Sequence, residues 1–541
     1  MGQFARAIYK AKYAMDGEEW PDTARRVGTE VLSSVDASPE LIDATVKAIT
    51  AREFLPGGRY LFAAGRSYHQ TNNCFLFRPE DSREGWAEFN RKATMALMTG
   101  GGIGGWYGDI RSSGKPIKKT GGISSGPLAL MEMVNEIGRH VMQGGSRRSA
   151  IWAGLPWYHN DINDFLVMKN WAPEVRAMKE RDFNFPATMD MTNISVTLND
   201  QFFAAIHDHS HGMHKLAKEV YWTTVKRMLK TGEPGFSVDT GNDWRENLRN
   251  ACTEITSEDD SDVCNLGHIN LARMRDLDHF RDTVALATSF CLAGTVYSDV
   301  PFLEVEETRA KNRRLGVGLM GVHEWLMQRG KPYGEDEELG TWLQAYAEIT
   351  TDFAADFAVL WGLSEPVKTR AIAPTGTTGI VAETTTGLEP MFCAAYKRRY
   401  LEEGTKWKYQ FVVDPTARRA VEKYNVDPED LEDAYSLANN PERRVRFQAW
   451  VQEFVDHGIS STINLPAWGS KHNNEGIIDN FGTMLLRYLP DLRGITTYPD
   501  GARGGQPLTT IAYEEAVRHE GDIFEESSDV CDITRGSSCG D

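Results

Sequence analysis

Asn250-Ala251-Cys252-Thr253-Glu254, followed twelve residues after Cys252 by Cys264-Asn265-Leu266-Gly267-His268-Ile269-Asn270-Leu271, is the stretch on which the fold turns. In an extended segment, residues i, i+2 and i+4 point the same way. Asn250, Cys252 and Glu254 are therefore expected to share a face that presents an amide, a thiol and a carboxylate together. A lone buried thiol is ordinarily an inert core residue. Here the flanking polar groups weigh against that, because a core rarely tolerates them unpaired. The other cysteines are Cys74, Cys291, Cys393, Cys531 and Cys539, and no two of the seven form a Cys-x-x-Cys pair. Structural zinc and a disulfide-stapled secreted fold are thus not expected, and a cysteine that matters here matters for its reactivity.

Further out, Gly100, Gly102 and Gly105 form a formal G-x-G-x-x-G. A dinucleotide fingerprint needs a strand before it and a helix after it. Ala93 to Met98 looks helical and Trp106 to Arg111 extended, which is the reverse order, so these glycines are expected to permit close backbone packing or approach to a ligand. No G-x-x-x-x-G-K-[ST] occurs, which excludes a P-loop. Ala373-Pro374-Thr375-Gly376-Thr377-Thr378-Gly379 offers hydroxyls and backbone N–H groups to an anion, with an ordinary loop as the alternative. Gln143-Gly144-Gly145-Ser146-Arg147-Arg148 sets two guanidinium groups behind a flexible glycine pair; it suits a nucleotide-binding loop or, equally, a helix end with solvated arginines. His207, His209, His211 and His214 are expected to be a solvated polar loop between helices, and no metal site is predicted.

With 541 residues, 41% apolar and 25% charged, the composition is that of a globular protein with a large core. There are 59 Lys plus Arg against 77 Asp plus Glu, a net charge of −18, which speaks against nucleic-acid partners and against a basic membrane-surface helix. The charge-free stretch Thr283 to Ser298 falls short of the ~20 apolar residues of a membrane span and reads as a buried helix. The N-terminus has no apolar signal core, so the cytoplasm is the expected location. Helices are predicted on both sides of Ser38-Pro39, over Gly126 to Val141, Asn160 to Lys169 and Thr341 to Leu360, and strands over Asn193–Leu198 and Ile495–Tyr498. From Tyr513 onward nine acidic residues stand against two basic ones, which predicts a mobile tail. Mixed elements over the intervening residues predict one large α/β domain.

Taken in order, these segments resemble the catalytic subunit of ribonucleotide reductases. Asn-x-Cys-x-Glu with Cys264-Asn-Leu-Gly-His-Ile-Asn-Leu resembles the family's active-site finger loop, and Asn72-Asn73-Cys74-Phe75 its first redox cysteine. Gly121 to Pro127 and Gln143 to Ser149 resemble the specificity-loop region, and Asn312-Arg313-Arg314-Leu315-Gly316 another signature. Pro374-Thr-Gly-Thr-Thr with Gly387-Leu388-Glu389-Pro390 is similar to the substrate-phosphate loop; Ser461-Thr462-Ile463-Asn464-Leu465-Pro466 and a C-terminal cysteine pair complete the order. The resemblance implies a ten-stranded α/β barrel of two antiparallel five-stranded half-sheets with the Cys252 loop threaded through it. It implies an N-terminal helical segment over 1–66 without an ATP-cone, a barrel over 67–512, and a tail over 513–541. By the same resemblance Cys252 becomes a thiyl radical that abstracts the ribose 3′ hydrogen, Glu254 takes the 3′-hydroxyl proton, and Asn250 holds the substrate hydroxyls. Cys74 and Cys264 supply two electrons and end as a disulfide, which Cys531 and Cys539 reduce by exchange. Asn73, Thr375, Gly376, Thr377 and Thr378 contact substrate; Gln143, Gly144, Gly145, Arg147 and Arg148 form the specificity loop; Cys291 and Cys393 are core residues.

The classes of this family differ in how the radical arises. Class I enzymes receive it through adjacent tyrosines, but none of the 18 tyrosines here has a tyrosine neighbour, and Tyr498 precedes Pro499. The C-terminal motif of the glycyl-radical class is missing. Leu55-Pro-Gly-Gly-Arg59 through Asn-Asn-Cys74, and Thr-Tyr-Pro-Asp-Gly-Ala-Arg503, are most similar to class II, which uses adenosylcobalamin. The expected partners are a ribonucleotide, diphosphate favoured over triphosphate, a deoxynucleotide effector near residues 111–148, a thioredoxin or glutaredoxin-like reductant, and a second copy in a homodimer. The rival readings are a class I large subunit that needs a radical-generating partner, and an inactive nucleotide-binding regulator.

Overall fold

The computed structural model describes residues 1–118, 121–141, 149–182, 185–402, 406–502 and 508–525. Its centre is a mixed sheet of ten strands: β1 (Phe54–Pro56), β2 (Cys74–Phe77), β3 (Gly102–Trp106), β4 (Ile151–Pro156), β5 (Thr192–Asn199), β6 (Gly235–Asp239), β7 (Asp262–Asn270), β8 (Leu315–Met320), β9 (Thr462–Leu465) and β10 (Gly494–Pro499). Neighbours run β1-β7-β2-β3-β4-β5-β6-β10-β9, and β8 pairs with β7. Strands β2 to β6 are parallel to one another, as are β7 with β8 and β9 with β10. The set β2–β6 meets the β7–β8 pair antiparallel at β2–β7 and the β9–β10 pair antiparallel at β6–β10. Single parallel bridges join Val317 to Arg370 and Ile372 to Ile459.

Strand alternation sorts the side chains onto two faces. Phe75, Phe77, Ile103, Ile151, Ala153 and Leu155 pack outward in one core with the helices Arg83–Met98, Gly126–His140 and His214–Thr231. Cys74, Leu76, Trp106, Trp152 and Leu266 face the other way and pack on Leu248, Ala251 and Ile255. Burying a large apolar side chain contributes about 1.5–3 kcal/mol, so this alternation is what holds the helices on one face and frees the other for the loop between β6 and β7.

A second outer core joins β7 and β8 to the N-terminal helices and to Leu277–Tyr297 and Glu337–Leu360. The helix Pro39–Thr50 starts as Ser38-Pro39 predicts, with the Leu41 N–H donating to Ser38 Oγ at 3.2 Å. Leu277–Tyr297 is the buried helix expected around Thr283, and both predicted strands form, as β5 and β10. Asn160 to Lys169 gives only the short helix Ile162–Val167. The predicted tail is narrower than its composition suggests. Tyr513–Arg518 is a helix, and Ile523–Glu525 pairs with Lys408–Gln410 in a four-stranded antiparallel sheet, where Phe524 stacks on Tyr409. Among the described residues no helix is long and apolar enough to cross a membrane.

Candidate active site

The loop between β6 and β7 is a finger whose legs pair as a minimal ladder, Leu248 with Ser257 and Arg249 with Thr256. Its tip corrects the expectation of an extended segment. The Thr253 N–H donates to the Asn250 carbonyl at 3.0 Å, and Thr253 takes a left-handed φ of 70°, so residues 250–253 form a tight turn. Asn250 Oδ1 accepts from the Ile255 N–H at 3.0 Å, and the Gly458 N–H donates to the Glu254 carbonyl at 2.7 Å. Asn250, Cys252 and Glu254 therefore converge through a turn rather than through strand periodicity.

The glycine run acts through close packing, as its helix-then-strand context implies. A Cβ on Gly104 would lie 1.7 Å from the Arg249 carbonyl oxygen, and one on Gly102 would lie 3.0 Å from the Ala251 Cβ. The finger thus lies directly on the backbone of β3. Gly104→Ala is expected to displace the finger by an ångström or more. Misplacement of that size costs about 10²-fold in rate, and overpacking adds about 1–3 kcal/mol of destabilisation; steady-state kinetics and thermal melting would check both.

Asn250 and Glu254 are buried, and Cys252 is half-buried. Burial raises the Glu254 carboxyl to about 7; its own backbone and the Asn250 amide pull the other way more weakly. Burial, then the Glu254 carboxylate, then Cys74, raise the Cys252 thiol well above its ordinary value. Asn250 Nδ2 and Glu254 Oε2 are buried without a hydrogen-bond partner among the described residues, which leaves two polar atoms free for a ligand. Cys74 on β2 sits directly opposite Cys264 on β7. Facing residues on antiparallel strands have Cα atoms about 4.5–5.5 Å apart, within the span of a disulfide.

Asn73 Oδ1 accepts from the Arg59 N–H at 3.4 Å, and its Nδ2 is unpartnered among the described residues. Thr375 caps the helix Gly376–Ala382 with a left-handed φ of 48°. Its hydroxyl accepts from the Gly387 N–H at 2.8 Å, and Thr378 Oγ1 donates to its carbonyl at 3.2 Å. Thr378 therefore spends its O–H within the loop, whereas Thr375 only accepts there and keeps its own O–H to donate. Besides that O–H, it can offer a ligand the first-turn N–H groups of Gly376, Thr377 and Thr378, which have no intrahelical acceptor. Gln143, Gly144, Gly145, Arg147, Arg148, Cys531 and Cys539 lie outside the described residues. So does the side chain of Cys264. Cys291 and Cys393 are buried, as expected of core residues.

A cavity of about 390 Å³ opens at the foot of the finger, at the carboxyl ends of β2 to β6, walled by residues that include Trp106, Tyr158, Trp244 and Asn247. Another of about 190 Å³ lies between Tyr435, Asn464 and Tyr498. Neither is lined by Cys252, which is only partly buried. No cluster of three metal-ligating side chains occurs among the described residues.

Sequence reasoning missed the buried charges around the finger's legs. Arg314 donates to Glu246 just before one leg and to Asp262 just beyond the other, both at 2.8 Å, and Arg249 donates to Asp239 at 2.5 Å. The Asn312-Arg313-Arg314 signature was the one signal that could have found them.

The family model described as "Ribonucleotide reductase, barrel domain" matches residues 72–216, 213–354 and 367–487. A vitamin B12-dependent ribonucleoside-diphosphate reductase of Mycobacterium tuberculosis (strain CDC 1551 / Oshkosh) is 28% identical over 85% of this chain and 72% of its own length. One of the same description from Thermoplasma acidophilum is 26% identical over 94% of this chain and 70% of its own.

Proposed function

Because this chain belongs to the ribonucleotide reductase family, we propose that it converts ribonucleotides to 2′-deoxyribonucleotides as a class II, adenosylcobalamin-dependent enzyme. The observation that carries this is the convergence of Asn250, Cys252 and Glu254 on one turn, with Cys74 close enough to Cys252 to influence its thiol. The B12-dependent relatives that span most of the chain point to the same class.

The residues at the tip suit the cofactor. A thiol held protonated by burial is a hydrogen-atom donor, which is what a radical initiator needs from it. Half-exposed Cys252 is the group that would meet it. When bound, adenosylcobalamin supplies a carbon-centred radical by homolysis of its cobalt–carbon bond.

Cys252, once a thiyl radical, takes the hydrogen from the ribose 3′ carbon. Glu254 accepts the 3′-hydroxyl proton, and its pKa of about 7 suits a base that works near neutrality. Asn250 donates its unpartnered Nδ2–H to a substrate hydroxyl. The 2′-hydroxyl departs as water. Cys74 and Cys264 together give two electrons and two protons and close to a disulfide, and the Cys252 thiol returns its hydrogen to the 3′ carbon of the product, which restores the thiyl radical. Cys531 and Cys539 then reopen that disulfide by thiol exchange, drawing on a thioredoxin or glutaredoxin-like donor. The Gly376–Thr378 N–H groups hold the substrate phosphates, and Asn73 orients its sugar.

We also infer that the sheet closes as a ten-stranded barrel around the finger. The bridges at Arg370 and Ile372 link β8 toward β9, and the finger's apolar residues contact Leu76, Trp152 and Leu266 from the β2–β6 set and the β7–β8 pair. Residues 67–512 would be that unit. Exposed Met95, Met98, Met133 and Ile123, on or beside the helices Arg83–Met98 and Gly126–His140, favour a homodimer formed there, next to the effector loop.

Purified chain given adenosylcobalamin, a dithiol and ribonucleoside diphosphate, with no second protein, is expected to yield deoxynucleotide. Product only upon adding a radical-generating subunit would establish class I instead.

A further inference from the structure

The finger has too little structure of its own to hold its tip in place. Two residues pair on each leg, and an isolated hairpin is marginal even with more. Around its base lie four carboxylates, Asp239, Asp243, Glu246 and Asp262, and four cations, Arg249, Arg314, Lys368 and Arg493. Arg314, at the mouth of β8 and 3% exposed, reaches from Glu246, just before one leg, to Asp262, just beyond the other, and each of these carboxylates in turn holds a leg hydroxyl. Its Nη1 donates to Glu246 Oε1 and its Nε to Asp262 Oδ2, each at 2.8 Å. Glu246 Oε2 accepts from Thr256 Oγ1 at 2.7 Å and from Lys368 at 2.5 Å. Asp262 Oδ2 also accepts from Ser257 Oγ at 2.7 Å and from Asn312 Nδ2 at 2.8 Å. The Thr256 N–H donates to His457 Nδ1 at 3.2 Å.

Buried ion pairs contribute little net stability, because desolvation offsets their attraction; their best-attested use is to fix one arrangement. We propose that Arg314 is a positioning residue: its two-pronged contact with Glu246 and Asp262 clamps the finger's legs together and so sets where Cys252 stands relative to the substrate. This rests on the assignment of the radical chemistry to Cys252. Lysine keeps the charge but lacks the planar fork that serves two carboxylates at once.

Arg314→Lys is expected to lower kcat at least tenfold while KM for the nucleotide stays within twofold. Amide hydrogen exchange of residues 247–258 is expected to quicken at least tenfold, with exchange in β2 to β6 unchanged. Arg313→Lys is the control: Arg313 contacts Thr295 and none of the eight charges, and it is expected to change neither readout. Should Arg314→Lys fail to fold, Thr256→Val, which removes the hydroxyl tie to Glu246 with little change of shape, carries the same two measurements with a smaller effect. Finger exchange at the parental rate in the folded variant overturns the clamp. Faster exchange with undiminished kcat would show that the contact holds the finger without positioning Cys252 and likewise overturns the proposal, whereas the role of Cys252 itself is tested by Cys252→Ala.

Discussion

Cys252→Ala is expected to reduce deoxynucleotide formation by at least about 10⁴-fold, to the background of the assay, since removal of a group on which every step depends leaves only binding. No neighbour can substitute. Glu254 and Asn250 have no hydrogen atom that a carbon radical would abstract readily, and Cys74, on β2, is the residue proposed above as an electron donor. Because Cys252 is half-buried and its side chain small, the variant's stability should stay within about 1 kcal/mol of the parent. Turnover measured beside a thermal melt separates the two outcomes. A folded Cys252→Ala protein that still turns over would place the radical elsewhere.

Glu254→Gln is expected to be slower by roughly 10²–10⁴-fold, the usual contribution of a positioned general base, and more stable at alkaline pH. The parent's carboxyl sits at about 7 against an ordinary 4.5, so between those values the folded state holds a proton that the unfolded chain has released. Parental stability attributable to this group is therefore complete below pH 4.5 and falls as pH rises through 7. A carboxyl raised from 4.5 to about 7 costs roughly 3 kcal/mol once ionised in both states. Denaturant titrations at pH 8 should find the variant more stable by up to that amount, and the difference should shrink toward zero near pH 4.5. The parent's kcat/KM should rise through pH 7 as the base ionises, and the variant should lack that limb.

Much of the site is visible in the sequence because its residues are close along the chain. Asn250, Cys252 and Glu254 announce one another by spacing alone, but the turn that joins them does not. Its left-handed position is Thr253, a residue type without the glycine signal that such a backbone usually shows. The glycines at 100–105 could be separated from a dinucleotide loop because helix and strand come in the wrong order. What they pack against, the Arg249 carbonyl, lies some 145 residues away and leaves no local trace. The charges at the finger's base are the extreme case. Arg314 meets Glu246 across 68 positions, and Arg493 meets Asp243 across 250, so each looks like an ordinary surface charge until the chain is folded. Thr375 carries a local role that its sequence does not show: its hydroxyl accepts from the Gly387 N–H and keeps its own hydrogen to donate.

Cys74 and Cys264 face each other where two oppositely running sets of strands are joined. The disulfide proposed for that pair would stitch one half of the scaffold to the other with each catalytic round, and regeneration would have to cut that stitch before the next. On that proposal the molecule would alternate between a laced and an unlaced frame, which makes its redox state a mechanical variable as well as a chemical one.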